Sequence, residues 1–191
     1  RRYGGVWPAA EPVGLIRPCA LPRVLPWILP GVLLLRLILL LVALVGAPFT
    51  GIILSAAFTA LIHSSAATIG IALALAVNGL VPLDGAIHIV LGANIGTCST
   101  ALMASLRSPA EARRVAWAHV LFKVIGVLLL LPFLPFFERI VSYAGTEPAR
   151  QIANAHTLFN VIMAFFFLPF LGLFARLLVK LVPDAAEGKK F

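Results

Sequence analysis

Acidic side chains are scarce: the 191-residue chain has 7 Asp and Glu against 15 Lys and Arg, and charged residues of both signs make up only 12%. Soluble domains carry about 25%. Within the long apolar runs the only carboxylate is Asp84, close to a boundary, and there is no His, Cys, Asp and Glu cluster at metal-ligand spacing. General acid–base and metal-assisted hydrolysis therefore find no set of residues there, and an enzyme is not expected. Cysteine is almost absent; Cys19 and Cys98 stand alone, with no ligand spacing and no indication of a bridge. Also missing is the apolar/polar alternation that membrane barrel strands need.

Apolar residues fill the space, at 61% of the chain and a mean hydropathy of +1.05. An all-α integral membrane protein is the class this composition selects. The net charge of +8 does not point to nucleic acid, because the basic residues flank long apolar runs and so read as orientation signals. The chain opens on Arg1, as a fragment or a processed product would. Residues 1–30, rich in Pro and Arg ("RPCALPRVLPWILP"), match neither a clean helix nor a cleavable signal sequence, and poor order is expected there.

About 20 helical residues cross the hydrocarbon layer. Against that length the apolar stretches are 31–46, which contains Arg36, then 49–77, 83–106, 115–137 and 151–179, within a transporter unit covering 31–180. Pro132 and Pro135 stand near the end of the fourth, and Pro169 lies inside the fifth. Arg107, Arg113 and Arg114 in one loop, and Arg176, Lys180, Lys189 and Lys190 toward the tail (181–191), place both on the cytoplasmic side. Counting back, 49–77 satisfies the same rule only as a re-entrant hairpin turning at "HSSAAT", with arms of about 14 residues, roughly 20 Å each. The expected architecture is about four spans plus that hairpin.

Polar groups at membrane depth need a reason. In "LIHSSAATIGIALALA", His63, Ser64, Ser65 and Thr68 interrupt an otherwise oily run, with Ser64 and Ser65 where an N-cap belongs. A broken helix offers free carbonyls on one arm and free amides on the other, so one break can hold a small cation beside an anion. Equally, small residues let helices approach, and Ser and Thr bond back to their own carbonyls. "LGANIGTCSTAL" repeats the layout with Asn94, Thr97, Ser99 and Thr100. Its Gly92 and Gly96 also form a GxxxG packing face, but Asn94 and the hydroxyls favour a second unwound site. An internal echo follows: "AHVLFK" (118–123) and "AHTLFN" (155–160) put His119 with Lys123, and His156 with Asn160, each on one helical face. These stripes suit ligand contact or scaffolding of the breaks. Lys123 is placed to attract an anion or to tether a carbonyl, and His88 reads as structural.

Together "ALIHSSAATIGIALALA", "IVLGANIGTCSTALMASL", "AHVLFKVIGVLLLLP" and "ANAHTLFNVIMAFFFLP" resemble the sodium-dependent phosphate cotransporter family, over about residues 48–172. That family is built from two inverted repeats, each with a Gln-Ser-Ser-Ser type signature at a hairpin tip. The resemblance implies one repeat, the second, of a sodium/phosphate symporter working by alternating access. Binding residues would be His63, Ser64, Ser65, Thr68, Asn94, Thr97, Ser99 and Thr100, with sodium near Ser64, Ser65 and Thr68. The stripe of His119, Lys123, His156 and Asn160 would support them. Sodium is the coupling ion, no other cofactor is implied, and the partners are inorganic phosphate, the bilayer, and a first repeat or a second copy of the chain. The location would be the cell (inner) membrane, with the C-terminus cytoplasmic. Three positions depart from the pattern: His63 replaces Gln, Ala66 replaces the third Ser, and Lys123 replaces the Asn of the first "AHxLF" motif. A different reading of the same residues is a non-transporting subunit that uses the GxxxG face and the His stripes for assembly, or in phosphate signalling.

Overall fold

The computed structural model describes residues 48–184, which form eight α-helices and no strand among the described residues. In order these are α1 (Pro48–Ile62), α2 (Ser65–Val77), α3 (Leu83–Gly96), α4 (Cys98–Ser105), α5 (Ala110–Leu130), α6 (Leu134–Tyr143), α7 (Pro148–Phe167) and α8 (Leu171–Leu181). The Pro/Arg-rich stretch 1–30, the apolar run 31–46 with Arg36, and most of the tail lie outside the described residues.

Among the described residues three segments are long and apolar enough to cross a membrane: Leu83–Ser105, Ala110–Tyr143 and Pro148–Leu181. The last two extend the runs 115–137 and 151–179 read from the sequence at both ends, and each continues through a proline. Pro132 and Pro169 each sit in a single 3₁₀ turn, Leu131–Phe133 and Leu168–Phe170, where a missing amide and a crowded ring are tolerated. By contrast α1 and α2, with 15 and 13 residues, are each too short to cross.

At the centre lies α3, where Gly85 to Asn94 and Gly96 are all buried. On one side Ile69, Ala72 and Ala76 of α2 pack against Ala86, Ile89, Val90 and Ala93 of α3, with Ile152 of α7 closing the cluster. On the other, Ile52 of α1, Ile87 and Leu91 of α3, Val127 of α5, Phe137 of α6 and Phe159 of α7 form a second core. His88 is buried within α3, in line with a structural role.

Close approach of α1 to α3 depends on the two glycines. A methyl group at Gly92 would collide with Ser55 Oγ and the Ile52 carbonyl, and one at Gly96 with the Ala56 carbonyl and Thr59 Cβ at 2.6 Å. The GxxxG pair is therefore a packing face. Outer surfaces of α5–α8 are the opposite, exposing Leu128, Phe136, Phe165, Leu168 and Leu173. A surface this apolar is suited to acyl chains or to another helix.

The basic loop and the segment after α8 meet. Arg114 Nη2 pairs with Asp184 Oδ1 at 2.9 Å, and its Nε donates to the Val182 carbonyl at 2.9 Å. Both therefore lie at the same end of the helices, as the charge distribution requires. At the far end, Gln151 and Asn154 side chains donate to the Gly145 and Ala144 carbonyls and close the 144–147 turn.

Candidate functional site

Helix α1 ends at Ile62, and the chain reverses through two residues. His63 takes a left-handed backbone (φ +54), a conformation that His adopts more readily than most side chains, while its amide donates to the Thr59 carbonyl at 2.8 Å. Ser64 is extended and caps α2: its Oγ accepts from the Ala67 amide at 3.2 Å, and its carbonyl accepts from the Thr68 amide at 3.2 Å. That first helical bond leaves the Ser65 and Ala66 amides outside the ladder of α2. Ser65 is half-buried at the first helical position.

The reversal brings Thr59 and Thr68 face to face, hydroxyl oxygens 2.7 Å apart and both side chains buried. Thr68 Oγ1 also donates to the Ser64 carbonyl at 3.3 Å. Sequence reasoning singled out Thr68 and missed Thr59; its position four residues before His63, mirroring Thr68 beyond Ser64, was the available signal.

Where the sequence suggests a second unwound site, the helix is interrupted at one residue: Thr97 separates α3 from α4, and the Thr100 amide donates to the Thr97 carbonyl at 3.3 Å instead of continuing the four-residue ladder. Thr97, between α3 and α4, keeps helical angles (φ −58, ψ −25), and its amide still donates to the Ala93 carbonyl at 3.1 Å. The polar side chains there turn back on the backbone. Asn94 Nδ2 donates to the Val90 carbonyl at 3.0 Å and Thr97 Oγ1 to the Ala93 carbonyl at 2.8 Å. Those local bonds and the two glycines that hold α1 close keep the interruption to a single residue.

The α3–α4 segment is the hub joining the polar groups. Toward the tip of the α1–α2 turn, Ser99 Oγ lies 3.4 Å from both His63 Nδ1 and the Ala60 carbonyl. Toward α5, the Cys98 thiol meets the His119 carbonyl at 3.6 Å. Lys123 Nζ donates to Asn94 Oδ1 at 2.8 Å and to Asn160 Oδ1, which joins α3, α5 and α7. Asn160 Nδ2 in turn donates to the His156 carbonyl at 2.7 Å. Of the two openings weighed for Lys123, tethering a carbonyl is the one observed. Thr100 is exposed on α4. A cleft of about 300 Å³ lies at the opposite end of α2, lined by Ala76, Gly79, Val81, Pro82 and Gln151, and none of the expected site residues borders it.

Three helices among the described residues that are long and apolar enough to span, beside two too short to do so, mark a helical membrane protein. The chain belongs to the Na+/Pi-cotransporter family, whose model matches residues 31–173. It is 42% identical over 100 residues to "Uncharacterized protein YqeW" of Bacillus subtilis (strain 168), covering 52% of this chain and 33% of that protein. It is 35% identical over 97 residues to "Putative inorganic phosphate export protein YjbB" of Escherichia coli (strain K12), covering 48% and 18%. To "Sodium-dependent phosphate transport protein 2C" of Homo sapiens it is 36% identical over 85 residues, covering 42% and 14%. The chain thus spans a third or less of the length of these relatives. No solved structure matches.

Proposed function

We propose that this chain is one repeat of a sodium-coupled carrier of inorganic phosphate, completed by a first repeat or by a second copy of the chain. The observation that carries the reading is the break at His63–Ser64, in a family-matched chain, between two helices too short to cross. In this reading α1 and α2 form a re-entrant hairpin whose tip reaches the middle of the membrane. The free Ser65 and Ala66 amides, at the positive end of α2, and the Ser64 and Ser65 hydroxyls take the phosphate oxygens. Sodium sits among the hydroxyl and carbonyl oxygens of Ser64, Ser65 and Thr68, and its charge favours the anion next to it.

Alternating access then exposes the loaded break first to one side and then to the other, with Arg107, Arg114 and the tail cytoplasmic in an inner-membrane protein. One relative is named for phosphate export and another for sodium-dependent phosphate transport, so both directions of flux need measuring. Radiolabelled phosphate movement in proteoliposomes, with a sodium gradient imposed either way, tests the reading. Flux that follows the gradient supports it; flux indifferent to sodium contradicts the coupling.

A further inference from the structure

Lys123 is a cation in an unusual setting. Its helix lies in an apolar span, and among the described residues it has no carboxylate partner; the only ion pair there is Arg114 with Asp184. Uncompensated charge at such a position is costly and calls for a function. What surrounds the ammonium is a converging set of neutral oxygens. Asn94 Oδ1 accepts from Nζ at 2.8 Å, and Asn160 Oδ1 accepts from it as well.

Both amides are oriented before the ammonium arrives. Asn94 Nδ2 is held by the Val90 carbonyl at 3.0 Å and Asn160 Nδ2 by the His156 carbonyl at 2.7 Å, so each amide must present its oxygen to the same point. The Phe159 ring covers a third side, 5.6 Å from Nζ to its centroid. Fixed carbonyl oxygens from two helices, α3 and α7, with an aromatic face and no anionic ligand, make a partial coordination shell suited to a monovalent cation. The ammonium occupies its centre. With two protons on carbonyls and the ring alongside, Lys123 is not posed as an anion hook.

The internal echo gives the same answer independently. Lys123 and Asn160 occupy the same place in "AHVLFK" and "AHTLFN", so one copy of the motif supplies an oxygen where the other supplies a positive charge.

We propose that Lys123 is a resident cation: its ammonium permanently fills a monovalent-cation site formed by Asn94 Oδ1 and Asn160 Oδ1, and Lys123→Asn opens that site to sodium. The inference rests on the reading of the chain as a sodium-coupled carrier, with any sodium at Ser64, Ser65 and Thr68 remaining separate. It makes the carrier need one mobile sodium fewer than the Asn form would.

The test is the thermal stability of the intact detergent-purified protein, wild type and Lys123→Asn, titrated with NaCl against choline chloride at constant ionic strength. The variant is expected to gain a sodium-specific rise in Tm roughly 4 °C or more beyond any that the wild type shows. An equal sodium response in the two proteins overturns the proposal. Should the variant not be recovered in either salt, Asn160→Ala decides. With a resident ammonium it lowers Tm equally in sodium and choline; loss of a sodium-specific increment that the wild type possesses overturns the proposal instead. Phosphate flux is not read in either arm. A protein that moves no phosphate would sink the proposed function and leave this result intact, and the converse also holds.

Discussion

Thr59 Oγ1 and Thr68 Oγ1 lie 2.7 Å apart across the turn at His63–Ser64, each four residues from it and each buried. This one contact links the two short helices where the backbone has given up its own bonds.

Removing one hydroxyl strands the other. Thr59→Val or Thr68→Val should each cost about 1 kcal/mol, while the double Val variant should cost less than the sum, because two apolar groups leave nothing unpaired. Thermal unfolding of the three proteins checks this, and strict additivity would remove the pair from the account. The double variant should remain inserted yet carry less phosphate, since Thr68 is among the proposed sodium ligands.

Glycine substitutions separate packing from flexibility. Gly92→Ala must push α1 off α3 against the Ile52 carbonyl, and should cost roughly 1–3 kcal/mol. Gly70→Ala on α2 meets nothing within 4 Å and should be neutral or slightly stabilising through helix propensity. Comparing the two Tm values tests whether the GxxxG pair acts by close approach; equal effects would contradict it.

How much of this was legible beforehand depended on the range of the interaction. Apolar runs act locally, so the three described spans and the Ser64 cap could be read directly, whereas the prolines were legible only as positions within the runs and not as the 3₁₀ turns that hold Pro132 and Pro169. The stretch 92–100 carries two competing signals: Asn94 and Thr97 suggest an opening, whereas its extent, one residue at Thr97, turns on how α1 packs against Gly92 and Gly96, a tertiary matter. Likewise Lys123, Asn160 and Asn94 each stood out, but their convergence joins residues 29 and 37 positions apart on three helices. Thr59 went unnoticed because a lone Thr within "LSAAFTALI" gains meaning only from its distance to the turn, four residues before His63.

The contact between Arg114 and Asp184 predicts sidedness. On the proposed topology, single cysteines replacing Arg107 and Asp184 should react with an impermeant maleimide in inside-out vesicles, and a cysteine replacing Gly145 in right-side-out ones. Arg114→Ala should destabilise more than Asp184→Ala, because Arg114 also holds the Val182 carbonyl and is the less exposed partner. Labelling of positions 107 and 184 from opposite sides would contradict the topology.

Capping and transport should separate within neighbouring serines. Ser64→Ala loses the bond to the Ala67 amide and should cost about 1 kcal/mol, with Ser64→Asn restoring much of it. Thermal unfolding reads the difference, and a Ser64→Ala protein as stable as wild type would mean that the cap does not hold the break.

Ser65 offers the most direct measurement. Half-buried beside the uncapped amides, it is proposed to contact phosphate without supporting the fold. Sodium-gradient-driven uptake of radiolabelled phosphate by Ser65→Ala should fall about tenfold at unchanged Tm, as expected for one lost hydrogen bond to a charged ligand. Uptake equal to wild type at equal Tm would contradict the assignment of the α1–α2 break as the substrate site.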